Sequence, residues 1–385
     1  MASRRRFLQL IGGGIVVSAA AAGGGIVALG GVSQSAREPW FEAGQYSEYR
    51  QRFLSYALLA PNPHNRQPWL VRLVGEDALT IYVDTERDLP ITDPYDRQIT
   101  IGFGTFLELL VQAAAQENYL SEIELFPEGE DMQTLDARPV AHVRFVEGQA
   151  TADPLFAQVL KRRSNKTPYL PQDVEVAKLT ALQETGNAFG VIAQTVGNTE
   201  LAEKLRQLTW DAHVKEIMTP DALHESVDLM RIGKREVAEN PDGIEIEGAM
   251  PSLARMTGLM DAEAMADPNS FANKQGLAMY RELAFSARAF GWLSNANASR
   301  IDQIQAGRAY VRVNLKATEL GLGIHPWSQA LQEYDEMQDL YAQVHEMIGG
   351  GQRLQMLFRI GYANPITPTP RRGLEAHLVG NTRLS

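Results

Sequence analysis

Three clusters of polar residues stand apart from the apolar periodicity of the chain. The first is Asn62, Asn65 and Gln67, set among Pro61, Pro63 and Pro68 and followed by Trp69. Amides in a proline-stiffened loop suit pairing with an amide-like ring edge, because each offers both donor and acceptor. The same residue types also build an ordinary helix-to-strand turn. The second cluster is Arg162-Arg163-Ser164-Asn165-Lys166 and the third is Pro370-Arg371-Arg372. Two arginine pairs and a serine make a bidentate phosphate clamp if the fold brings them together. Left apart, they read as cations complementing a helix C-terminus and as solvated surface charge.

Other chemistries lack their residues. The absence of cysteine removes disulfide scaffolds, thiolate zinc sites, iron–sulfur clusters and cysteine nucleophiles. The histidines at 64, 142, 213, 224, 325, 345 and 377 show no metal-ligand spacing, so no metal is expected. There is no G-x-S-x-G elbow and no P-loop, and Gly102-Phe103-Gly104 lacks the third glycine of a dinucleotide fingerprint. With 36 Lys+Arg against 47 Asp+Glu, the chain makes a poor nucleic-acid partner. Its 385 residues admit two domains or one large one, and 44% hydrophobic content supplies a core.

The elements that must position these clusters follow from periodicity. The chain opens Ser3-Arg4-Arg5-Arg6-Phe7-Leu8-Gln9 and runs into an uncharged Gly/Ala/Ile/Val stretch ending near Ser35. Residues 1–35 thus read as an export signal resembling the twin-arginine type, or as an uncleaved membrane anchor, with Ser33-x-Ser35 a small-residue cleavage site. A helix is expected from Tyr46 to Leu59, then a hairpin of 70–74 and 79–83 around Gly75-Glu76-Asp77, a helix from Ile101 to Tyr119 and a strand at 140–145. Asp153-Pro154 opens a helix expected to reach Ser164, Gly321 ends another, and 354–362 is a last strand. A 203-residue offset superposes Gly104 on Gly307 and Ala114 on Ala317, which suggests two fused α+β halves sharing one core. Seven of the twelve methionines fall between 218 and 279, in a broken helical stretch that reads as an adaptable lid or as gap-filling core.

The motifs A-P-x-x-x-N-x-Q-P-W, R-R-S-x-K before a proline, G-L-G before a proline turn, and R-I-G-Y-A…P-R-R resemble the nitroreductase superfamily of FMN-binding proteins. More narrowly, they resemble its fused, twin-arginine-exported branch related to the Acg family. The resemblance implies an α+β fold that is normally dimeric with FMN at the subunit interface, here an intrachain pseudo-dimer. Its halves would be 46–150 and 151–380, with a helical insertion at about 195–295. Arg162, Ser164 and Lys166, with Arg163 beside them, would hold the FMN phosphate and ribityl chain, and Lys166 would set positive charge by the ring. Asn62, Pro63, Asn65 and Gln67 would approach the ring from the other half. Pro326, Trp327 and Ser328 would lie by flavin N5, and Arg371 and Arg372 would complete the phosphate site; no residue is named as catalytic. Asn62 and Pro63 replace the serines common in the family, and Ser328-Gln329 replaces its usual acidic-Gly pair.

The function so implied is an exported oxidoreductase, periplasmic or otherwise extracytoplasmic. It would pass a hydride through the flavin from a small-molecule donor to a nitroaromatic or quinone-like acceptor. The competing reading is an FMN-sequestering or sensing protein whose ring is shielded by a lid. Its partners would be the donor, the acceptor and the twin-arginine export machinery, and the fused dimer lets a single chain serve as the working unit.

Overall fold

The computed structural model describes residues 31–148 and 150–380, so the export reading of residues 1–30 lies outside the described part. The fold is α+β, built from two antiparallel four-stranded sheets, each backed by one long helix. In the first half the hairpin forms as expected: β1 (Trp69–Val74) pairs with β2 (Ala78–Val83) from Trp69↔Val83 to Val74↔Ala78, turning at Gly75 with φ +52°. β3 (Tyr119–Leu125) and β4 (Ala141–Glu147) complete the order β1-β2-β4-β3. The second half repeats this plan with β5 (Ile192–Val196), β8 (Ala289–Asn295), β9 (Gly323–Pro326) and β10 (Arg353–Gly361) in the order β5-β8-β10-β9.

The helices are α1 (Glu38–Glu42), α2 (Tyr49–Ala57), α3 (Arg97–Gln116), α4 (Val176–Gly186), α5 (Glu200–Met218) and α6 (Pro220–Asp228). They continue with α7 (Gly233–Glu239), α8 (Ala249–Met256), α9 (Ala262–Ala266), α10 (Phe271–Phe285), α11 (Arg300–Glu319) and α12 (Gln338–Val344). α3 is apolar around most of its circumference because it lies on the first sheet and against α11. α11 starts in a capping box between Ser299 and Asp302 and stops at Gly321, φ +72°. The two helices cross at paired glycines. A methyl on Gly104 would sit 2.1 Å from the Ile304 carbonyl oxygen, and one on Gly307 would sit 2.0 Å from that of Ile101. Ile101 and Ile304 are related by the same offset as Gly104 and Gly307, so each helix offers the other the same surface. Beside the crossing, buried Glu108 accepts from Arg308 at 3.0 Å and Arg312 at 2.7 Å.

Two expectations are corrected. The helix opened by Asp153-Pro154 is only a 3-10 turn, Pro154–Gln158, although Asp153 caps it through the Leu155 N–H at 2.9 Å. The chain then leaves helical geometry because Arg162 buries its side chain, donating to Leu59 O at 3.0 Å, and Asn165 N–H joins β9 at Ile324 O, 2.8 Å. The strand β3, absent from the expectations, forms because its alternation shields the edge of β4.

The stretch between β5 and β8 carries α5 to α10 and a small parallel pair, β6 (Met230–Ile232) with β7 (Ile244–Ile246). It is bonded to the first half. Asp242 accepts from Arg87 at 2.6 Å, Glu225 from the Ile91 and Thr92 N–H groups, and Pro241 O from Gln67. The methionines form no common face here: Met218 and Met256 are 49% and 70% exposed, and Met265 is core. The C-terminal tail returns to the first sheet, where Val71 N–H donates to His377 O and Val379 N–H to Val71 O.

Candidate functional site

Arg162, Arg163 and Arg371 converge on the indole of Trp40 in α1, with guanidinium carbons 5.9, 4.6 and 5.6 Å from its ring centre. They arrive from three places: the turn after Pro154–Gln158, the C-terminal tail, and the N-terminal segment. Among the described residues no carboxylate forms an ion pair with any of the three. Burial pushes Arg162 down to about 10, and burial together with the neighbouring Arg162 charge pushes Arg371 down to about 9, with the Glu245 carboxylate opposing in part. Holding like charges in a dry place is unfavourable unless an anion joins them. Donors for such an anion are present: Nε and Nη1 of Arg162 and Nε of Arg163 are buried without a hydrogen-bond partner. The residues therefore fit a phosphate.

Arg371 is also a structural anchor. It donates to Leu58 O (2.9 Å), Leu59 O, Ala60 O (3.0 Å) and Asn65 Oδ1 (2.8 Å), fixing the turn that ends α2. Arg372 does not join the cluster. Its guanidinium donates to Gln67 O and Ala376 O, and its N–H donates to Gln67 Oε1.

The loop 62–67 packs on α3, where Thr105 Oγ1 donates to Pro61 O at 2.6 Å. His64, Asn65 and Gln67 have φ of +44°, +52° and +51° on either side of Arg66 at −66°, left-handed positions unusual outside glycine. Their amides hold it there. Asn65 Nδ2 donates to Pro370 O at 3.1 Å, Gln67 Nε2 to Pro241 O at 2.9 Å, and Asn62 Oδ1 accepts the Gln67 N–H at 2.8 Å. Asn65 and Gln67 thus tie loop, tail and insertion together. Pro63 lies against Gly102 of α3.

A third group gathers by Lys166, which is exposed and makes no hydrogen bond or ion pair among the described residues. Burial, reinforced by this ammonium, holds His64 at about 4, and burial with Arg359 and Lys166 holds His325 well below its ordinary value. Tyr280 of α10 stacks on His213 of α5 at 4.3 Å and 22°, with Trp327 edge-on to both. Arg359 underpins the group: fully buried, it donates to His325 Nδ1, Leu283 O, Asn165 O and Thr167 O. Pro326 lies in the β9–β10 ladder, Trp327 N–H is bonded to Leu357 O, and Ser328 Oγ bridges Leu357. Ser164 sits in a bridge to Ile324.

Comparison with known proteins sets this geometry in a lineage. A Mycobacterium tuberculosis protein provisionally named an NAD(P)H nitroreductase, Rv3131, is 26% identical over 331 residues, covering 83% of this chain and 88% of its own. The acg protein of the same organism, also provisionally named an NAD(P)H nitroreductase, is 30% identical over 156 residues, 39% of this chain and 43% of its own. Over most of its length the chain is similar to proteins named as nitroreductases. No family model matches it. Among solved structures, the FMN-dependent nitroreductase NfnB of Mycobacterium smegmatis, in complex with NADPH, is 20% identical with a TM-score of 0.35, covering 58% of this chain and 95% of its own.

Within this nitroreductase relative, sequence reasoning found three of the four members of the arginine–indole cluster and missed Trp40. The only signal for it was an aromatic after a proline at the first turn of a short helix, which says nothing of partners more than 120 residues away. Arg359, Tyr280 and His213 were missed for the same reason: each acts through contacts made across the fold.

Proposed function

We propose that this chain is an FMN-dependent oxidoreductase of nitroreductase type, an intrachain pseudo-dimer whose halves, 46–150 and 151–380, both line one flavin site. The observation that carries the proposal is the Arg162–Arg163–Arg371 cluster, with Arg162 and Arg371 buried and Arg163 partly so, no carboxylate ion-paired to it among the described residues, and unspent donors. When bound, FMN would supply two-electron transfer between a small-molecule donor and a nitroaromatic or quinone-like acceptor. The three guanidiniums would hold the phosphate, with Arg371 also bracing the Asn65 loop from the opposite half. Lys166 offers an unpaired ammonium to negative charge at the reacting end. His64 and His325, kept neutral by burial, add no charge of their own there, and Arg359, itself a cation on His325, fixes the backbone on which Lys166 stands.

Sequence relatives named for NAD(P)H support a nicotinamide as test reductant, and the Arg4-Arg5 signal supports export, which would part the chain from cytoplasmic nicotinamide. The absorption spectrum of the purified protein tests the reading. Flavin bands that bleach on addition of NADPH, with FMN held far more tightly than riboflavin, are the expected result; equal affinity for the two flavins would remove the phosphate site. The Tyr280–His213 stack beside Lys166 favours the second reading, a shielded flavin that is stored or sensed. That reading predicts flavin bands which bleach with dithionite but resist NADPH.

A further inference from the structure

The segment that carries Trp40 precedes both halves, yet it is bonded to distant parts of the chain. Arg37 is buried and donates to Ser33 O at 2.8 Å, Pro368 O at 2.6 Å and Glu247 Oε2 at 2.6 Å, the last an ion pair with each side chain only 4% exposed. Ser33 N–H reaches Glu247 Oε1 at 2.7 Å, Trp40 Nε1 donates to Thr369 O at 2.8 Å, and Arg371 N–H donates to Ala36 O at 2.8 Å. Glu247 follows β7 in the insertion and Pro368–Arg371 is tail, so Ser33–Glu42 closes over the arginine cluster and pins both.

A guanidinium stacked on an indole gives its face to the ring and keeps its in-plane N–H edge for an acceptor. Here the unspent edges are Nε and Nη1 of Arg162 and Nε of Arg163. We infer that Trp40 is the platform of the anion site and that Ser33–Glu42 is a latch over its phosphate end, setting how long a phosphorylated flavin stays bound. This rests on the FMN reading above. It adds that release requires the latch to lift, and that the Arg37–Glu247 pair, which touches none of the three guanidiniums, governs that lifting.

The test uses the full chain loaded with FMN and follows flavin fluorescence on dilution. W40A should release FMN about tenfold faster, the scale of several lost cation–π contacts, while its affinity for riboflavin, which lacks the phosphate, stays unchanged. E247Q, which leaves Trp40 in place, should also accelerate release, and W40F should fall between W40A and the unaltered protein. If W40A and E247Q both release FMN at the unaltered rate while R162A loses it, the phosphate site stands and the latch is overturned. An equal loss of riboflavin and FMN in W40A also overturns it, since the indole would then support the fold as a whole. If the unaltered chain binds no FMN, the functional reading fails and the latch with it.

Discussion

At the residue scale, the arginines divide by what their donors already do. Arg162 spends one N–H on Leu59 O and keeps buried donors in reserve, whereas Arg372 is committed to Gln67 and the Ala376 carbonyl. R162A should therefore weaken FMN retention by about 2–5 kcal/mol, the range for removing one partner of a desolvated charge pair, and R372A by clearly less. Titration of both variants with FMN checks this, and equal losses would place Arg372 in the anion site after all. Arg359 has a different role, because its guanidinium fills a cage of backbone carbonyls and His325. R359M should leave those acceptors buried and unsatisfied and cost about 3 kcal/mol of stability or more, measured by urea unfolding.

At the scale of elements, the crossing of α3 and α11 brings two backbones into direct contact. With carbonyl oxygens 2.0–2.1 Å from where a methyl would sit, neither Gly104 nor Gly307 has a side-chain neighbour that can yield. G104A and G307A should each push the helices apart and destabilise the protein by about 1–3 kcal/mol, as overpacking does. Thermal melts of the two variants should shift alike, because both faces present the same Ile–Gly pair. The loop 62–67, with three left-handed residues, rests on longer-range ties. Its strain is held by Pro370, Arg371 and Pro241, so Q67A should loosen the insertion as well as the loop, seen as faster amide exchange around Pro241–Gly243.

For the whole molecule, pH response follows from which buried groups prefer to be neutral. Burial holds His64 and His213 at about 4, His377 at about 3, and His325 and His345 below their ordinary 6.5. The unfolded chain protonates these groups first, so their contribution is present above 6.5 and is lost as pH falls. Asp93 and Glu216, raised by burial to about 7, and Asp88 and Asp96, also raised by burial, act in the opposite sense, since the folded chain takes up their protons first. Between pH 6.5 and about 5 the five histidines outnumber the four raised carboxyls, so stability should decline on acidification. Urea midpoints measured across that window check the sign; a rise would mean that the carboxyls dominate. The halves are also interlocked, by the glycine crossing and by the tail laid on β1. A chain cut between 146 and 153 should stay together, and its first half alone should not remain soluble and folded.

The elements with strong local signals are legible in the order of residues: the 70–83 hairpin, the two long helices, and the 203-residue offset that the Gly104–Gly307 contact expresses in space. Alternation, helical period and a glycine cap are short-range properties, so neighbouring residues alone determine them. The arginine motifs are legible as residue types suited to an anion. Which of them meet was decided only by the tertiary fold, which joins Arg162 and Arg163 to Arg371 across more than 200 residues, turns Arg372 aside, and sets Trp40 beneath all three. The same fold converted the Asn65 and Gln67 amides from free recognition groups into ties between loop, tail and insertion. A side chain's partners depend on how distant segments pack, and local sequence carries no record of that.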